Sequence, residues 1–190
     1  MPSREEALQL LDDWVDSPSL RGHMKAVEAA VRSYARRFDG DEERWGLAGL
    51  LHDLDWEKYP EEHPLRAVEE LRARGYPEDV IHAILAHRAD FTKVDPETLL
   101  DRTLVACDEI TGLVTATALV RPNGIDDLKP KSVRKKMKDA TFARGVDREE
   151  VQRSAELLGV ELSEHIQAVI DAMRGIADEL GLTAAQVSRS

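Results

Sequence analysis

A single cysteine, Cys107, stands in 190 residues, so the chain has no internal disulfide and no thiolate-rich metal site. Its setting, Leu104-Val105-Ala106-Cys107, reads as that of a buried small hydrophobe. Long apolar runs are also missing. None approaches the ~20 residues needed to cross a bilayer, which excludes a membrane-spanning helix. The first residues, MPSREEALQLLDDW, are acidic where a secretory leader is basic and then apolar, and a cytoplasmic location is expected. Positive charge is scarce as well. Twenty-six Lys and Arg face 37 Asp and Glu, a net charge of −11, which argues against an extended nucleic-acid partner.

Helix-forming pattern is what the chain does have. No convincing alternating strand appears, and apolar residues recur at helical spacing throughout. Leu8, Leu11 and Val15 mark a first helix, and residues 19–38 carry His23, Val27, Ala30, Val31 and Tyr34 on one stripe. Residues 42–54 read as a third helix with Leu47, Leu50, Leu51 and Leu54 on one face. Further helices are expected from Pro64 to Arg74, from Pro77 to about His87, and from Asp95 to about Val120. A short basic helix over 131–140 and two more over 147–158 and 163–180 complete the set, with Ser163 as the expected N-cap of the last. With no repeat and no long linker, the expectation is an all-α fold in one domain over 1–190. Its metal-binding core would occupy about 20–120, and the basic segment and C-terminal helices 121–185.

The residues that carry chemistry begin at Leu50-Leu51-His52-Asp53-Leu54. An imidazole and a carboxylate side by side in an apolar segment cost several kcal/mol if buried without partners, and a divalent cation is a natural partner. On the third helix Ala48, Gly49, His52 and Asp53 lie on the side away from the leucines, and small residues there allow an ion or another helix to come close. Other ligands lie upstream at His23 and downstream at His63, His87 and Asp108. Each has an ordinary explanation when taken singly. His23 can be a hydrogen-bonded core histidine, and His63 a surface residue just before a helix. Asp108 sits among Leu104, Val105, Thr111 and Gly112, where a carboxylate needs a cation or several donors. His82 is expected to point to solvent, and His165 has no partner pattern.

Taken together, His23, His52, Asp53 and Asp108 make one site. His63 and His87 raise the set to six, enough for two ions with Asp53 between them. Imidazole and oxygen donors without thiolate suit Mn, Fe, Mg, Ni or Co, with Zn possible. Two ions ~3.5–4 Å apart would hold a hydroxide and clamp a phosphoryl group.

This ordered set resembles the HD superfamily of metal-dependent phosphohydrolases, over roughly residues 20–120. The stretches LLHDLDWEKYPEEHP, CDEITGLVTATALVRP and KPKSVRKKMKDATFARGV extend the likeness, through about residue 150, to small stand-alone HDIG-type proteins. The resemblance implies an all-helical fold, metal held by His23, His52, Asp53 and Asp108, and hydrolysis of a phosphomonoester or phosphodiester, often a nucleotide. The tetrapeptide reads His52-Asp53-Leu54-Asp55 here, keeping both ligands and losing the glycine. Only ten residues separate Asp53 from His63, shorter than in the better-known two-metal members. Gly75-Tyr76-Pro77 lacks the paired histidines that accompany this tripeptide in cyclic-di-GMP phosphodiesterases, and that activity is not implied.

The expected reaction is attack of metal-activated water on phosphorus, with Asp53 orienting or bridging and Glu62, beside His63, as proton shuttle. The competing readings are a non-catalytic HD module that senses a nucleotide or binds a partner, and a purely structural helical protein. Residues 121–145 hold eight basic residues against three acids, so this stretch is +5 and the remainder −16. Lys131, Arg134, Lys135 and Lys136 are the expected contacts to the phosphates of a small anionic substrate, with a solvated helix face as the alternative. Trp14, Trp45 and Trp56 are expected in the core.

Overall fold

The computed structural model describes residues 1–188, and every regular element among them is a helix. The only pairing of extended backbone among these residues is an isolated bridge between Gly124 and Thr183. The all-α class read from the sequence is the class observed. The chain groups into two compact units, Met1–Val105 and Ala106–Ser190.

The first unit contains α1 (Arg4–Trp14), α2 (Pro18–Arg37), α3 (Glu42–Leu51), α4 (Leu65–Ala73), α5 (Glu78–Ala86), the four-residue α6 (Ala89–Thr92) and the start of α7 (Leu99–Leu119). Its helix starts follow local chemistry. Ser3 and Glu6 form a capping box on α1, Ser17 accepts from Leu20 N with Pro18 in the first turn of α2, and Asp41 accepts from Arg44 N at α3. At α7, buried Asp101 accepts from the Glu97 and Thr98 amides at 3.0 and 2.8 Å. The apolar stripes then close on one another, with Met24, Val27, Tyr34, Leu47, Leu50 and Ile84 fully buried.

A buried carboxylate ties the first three helices. Glu28 takes both Arg4 Nε (2.6 Å) and Arg4 Nη2 (2.9 Å) from α1, and Arg32 Nε at 3.0 Å from its own helix. Arg32 turns its other two nitrogens to Glu43 of α3, at 2.8 and 2.9 Å. That pair of hydrogen bonds to Glu43 raises the guanidinium pKa above its ordinary value, against the opposing effect of burial, and lowers that of the Glu43 carboxyl.

The second unit holds α8 (Pro130–Met137), α9 (Arg148–Leu158), α10 (Leu162–Arg174), and the short α11 (Ala177–Leu180) and α12 (Ala184–Val187), with the rest of α7. Ile110, Val133, Val151, Ile166, Val169 and Met173 are fully buried in it. His165, given no role from the sequence, is buried and donates from Nε2 to Ala106 O at 2.7 Å, a structural bond. Gly124 has φ +55°, and a Cβ there would collide with the Leu182 carbonyl, so only glycine fits this crossing. Cys107 is buried, and burial pushes its thiol pKa up, which leaves it inert.

Several sequence expectations shift. The third helix stops at Leu51 instead of residue 54, and His52 is its C-cap. The segment expected as one helix over 163–180 breaks at Gly175 and Ile176, and its N-cap is Glu161, whose carboxylate accepts from the Ser163 and Glu164 amides. A longer acidic side chain two residues upstream thus takes the place assigned to Ser163. The four-residue α6 and α12 had no periodic signal. His82 is only partly exposed and reaches Asp101 Oδ2 from Nδ1 at 3.0 Å. Trp56, expected in the core, is 44% exposed.

Backbone meets backbone in the first unit at Gly49. A Cβ there would lie 2.9 Å from Glu28 Cα and 3.0 Å from Glu28 N, so α2 and α3 meet backbone to backbone. Gly49→Ala should push the helices apart and destabilise the protein by about 1–3 kcal/mol, the usual effect of overpacking. Denaturant unfolding measures this, and an unchanged midpoint would show that the contact has slack.

Candidate metal centre

Five of the six residues singled out as ligands meet in the first unit, and the local fold explains how. A helix leaves its last carbonyls without intrahelical partners. His52 is the C-cap of α3, and its Nδ1 lies 2.9 Å from Gly49 O, a carbonyl of the last turn. His87 is the C-cap of α5 and bonds Ile84 O through Nδ1 in the same way, three residues back. A carbonyl can only accept, so both rings carry their proton on Nδ1 and present the Nε2 lone pair outward.

His63 reaches the same state by another route. Its Nδ1 donates to Oδ1 of Asp55 at 2.7 Å, and both groups are buried. The other Asp55 oxygen accepts from Ala67 N at 2.9 Å, in the first turn of α4. One carboxylate therefore caps a helix N-terminus and holds an imidazole. Asp55 is the residue that replaces the glycine of the HDIG pattern, and its part was not read from the sequence.

The lone pairs converge on Asp53. His63 Nε2 and His87 Nε2 are 3.0 Å apart, and Asp53 Oδ1 lies 3.3 and 3.7 Å from them. Asp53 Oδ2 faces the other way, 3.5 Å from His52 Nε2 and 3.8 Å from His23 Nε2. The rings of His23 and His52 are 5.2 Å apart, those of His52 and His87 5.3 Å, and those of His63 and His87 5.0 Å. His23 comes from the second turn of α2 and is partly open to solvent, whereas His52 and His63 are closed off.

This donor set fits a divalent cation. Ligand atoms ~2.1 Å from one ion sit roughly 3.0–3.5 Å from each other at tetrahedral or octahedral angles. Asp53, His63 and His87 offer three atoms mutually within 4.8 Å, near that spacing before any ion draws them in. Imidazole lone pairs and a carboxylate aimed at one point repel one another unless positive charge lies between them. The negative ends of α3 and α5 add to that field, since both terminate at the cluster. Asp53, with one oxygen toward each histidine pair, has the geometry of a bridging carboxylate.

Beside His23 opens a cleft of about 550 Å³ lined by Ser17, Ser19, Leu20, His23, Trp56, Glu57 and Pro60. Glu57 accepts from the Asp16 and Ser17 amides and fixes the loop against the start of α2. Exposed Trp56 stands edge-on to the His63 ring at 5.1 Å, with the Arg88 guanidinium 6.0 Å from its indole. Trp56 was expected in the core, and nothing in the sequence shows that it borders the cleft.

Three further groups were expected at the site from the sequence. Glu62 is half exposed and ion-paired to Arg66 at 2.8 Å. Asp108 is half-buried on α7, in the portion belonging to the second unit. Lys131, Arg134 and Lys135 line a cleft of the second unit, while Lys136 lies over the Phe142 ring at 4.3 Å.

Residues 20–113 match the family model described as HD domain. No curated protein matches the chain.

Asp55→Asn removes the charge that holds the His63 proton on Nδ1 and disturbs the α4 cap. Metal affinity at the His63 and His87 pair is expected to fall about 10–100-fold, the range for losing a ligand's carboxylate partner. Loss of the cap should also destabilise the fold by about 1 kcal/mol. Chelator competition and denaturant unfolding read the two effects separately, and unaltered metal affinity would deny Asp55 its orienting role.

Proposed function

We propose that this chain, which belongs to the HD superfamily through its HD domain at residues 20–113, is a metal-dependent phosphohydrolase for a small phosphomonoester or phosphodiester. The observation that carries the reading is the position of Asp53, one carboxylate oxygen toward His63 and His87 and the other toward His52 and His23. His23, His52, Asp53, His63 and His87 would hold one or two divalent ions, with Asp108 as the further carboxylate that the family pattern implies. A bound divalent ion supplies a water of lowered pKa and neutralises charge on phosphoryl oxygens.

The protein's own groups do the rest. Gly49 O, Ile84 O and Asp55 keep the protons of His52, His87 and His63 on Nδ1, so that Nε2 stays available. Asp53 bridges. The closed-off sides of His52 and His63 exclude water from behind the cluster, and partly open His23 marks the side from which substrate enters. Glu62 is the residue we assign to carry protons to and from solvent.

A nucleotide is the substrate class the cleft favours. Exposed Trp56 offers a ring face beside the metal ligands, and base stacking on an aromatic side chain is worth about 1–3 kcal/mol.

Elemental analysis of the purified protein should find Mn, Fe, Co, Ni, Mg or Zn, and a phosphate-release screen over nucleotides and simple phosphoesters should give turnover. In Asp53→Ala that turnover should drop to background with helicity retained. Full activity in this variant, or nucleotide binding without product in every metal tested, would overturn the reading. Trp56→Ala should raise KM for nucleotides roughly tenfold or more, by the loss of one stacked base, and leave simple phosphoesters unaffected. Equal effects on both would remove the stacking role.

A further inference from the structure

We infer that the second unit carries a binding site of its own for a small polyphosphate, built on α8. Lys131, Arg134, Lys135 and Lys138 follow one another at i, i+3, i+4 and i+7, so they share one face of the helix and its C-cap. Val133 is fully buried on another side. The four cations line a cleft of about 620 Å³ together with Pro130 and Ser163. Lys138 belongs to this face, whereas Lys136 is turned to Phe142.

Like charges three and four residues apart on a helix repel and destabilise it. The chain has carboxylates to spare, and many of its other arginines use them: Arg32, Arg44, Arg66, Arg72 and Arg121 are all ion-paired. Among the described residues no carboxylate pairs with any of the four cations of the cleft. Arg134 instead donates to Ser163 Oγ at 2.7 Å, which leaves the hydroxyl proton free to donate outward. The nearby Glu161 is turned into the first turn of α10, accepting from the Ser163 and Glu164 amides. The result is a concave surface of donors whose repulsion an anion would relieve.

Several clustered cations call for a multiply charged ligand, and phosphate oxygens match lysine and arginine donors. The cleft has the size of a small-molecule site. A long polyanion would also meet the −16 carried by the rest of the chain. A chain of linked phosphates, as in a nucleoside triphosphate, is the ligand class that fits.

The test uses the full chain in EDTA, so that it stands whether or not the hydrolase reading does. Calorimetric titration with inorganic tripolyphosphate should show binding on the order of tenfold or more tighter than orthophosphate, from the added charge-assisted contacts. Arg134→Ala and Lys135→Ala should each weaken tripolyphosphate binding about tenfold, while Lys136→Ala and Asp53→Ala leave it unchanged. Circular dichroism of each variant confirms an intact fold. Absence of tripolyphosphate binding to the parent protein, or equal affinity in the Arg134 and Lys135 variants, overturns the proposal. So would a single-stranded oligonucleotide that binds through these residues more tightly than tripolyphosphate, which would make the face a nucleic-acid surface.

Discussion

Proton placement on three histidines is the constraint on which the geometry of the cluster depends. A neutral imidazole has one proton, and giving it to an acceptor at Nδ1 commits Nε2 to be a lone pair. His52 and His87 give it to last-turn carbonyls, and His63 gives it to Asp55. The histidine cluster is therefore decided one shell away from where it acts. Groups with no chemistry of their own, two backbone carbonyls and a helix-capping carboxylate, turn an ordinary set of histidines into convergent donors.

The same constraint explains why the helices end where they do. Had α3 continued to residue 54, as the leucine pattern suggested, Asp53 would project from a helix side at ~100° to His52. Ending at Leu51 frees the backbone beyond His52, and Asp53 can then face His23 and His52 with one oxygen and His63 and His87 with the other. The shortened helix and the two-sided placement of Asp53 are one feature. Gly49 serves it twice, as the carbonyl that receives His52 and as the bare backbone that lets α2, with His23, come close.

Most of this was legible where periodicity or cap chemistry speaks locally. The stripe of α2, the end of α4 at Arg74 and the start of α9 follow from side chains within a few residues of one another. The grouping of His23, His52, Asp53, His63 and His87 was legible too, because imidazoles and carboxylates in apolar segments need polar or charged partners. Asp55 was not. Its value comes from His63 and the α4 amide, 8 and 12 residues away, which only the folded turn brings together. Its place in the tetrapeptide looked like a loss of glycine and is in fact the gain of an anchor. Trp56 was misread for a related reason. An indole is ordinarily core material, and only the turn geometry shows it at the rim of a cleft.

Charge distribution links the two units without reference to how they are arranged. The first unit spends its arginines on internal ion pairs, as with Arg4, Arg32 and Glu28, where they fasten helix to helix. The second unit keeps four cations on one face of α8 out of such pairs, within a chain that has eleven more acids than bases. Packing does not require this, since Val133 alone buries the helix and any polar residue would serve at the other positions. This cationic stripe adds nothing to the core and repels itself. The arrangement makes physical sense as a surface completed by negative charge from outside the chain.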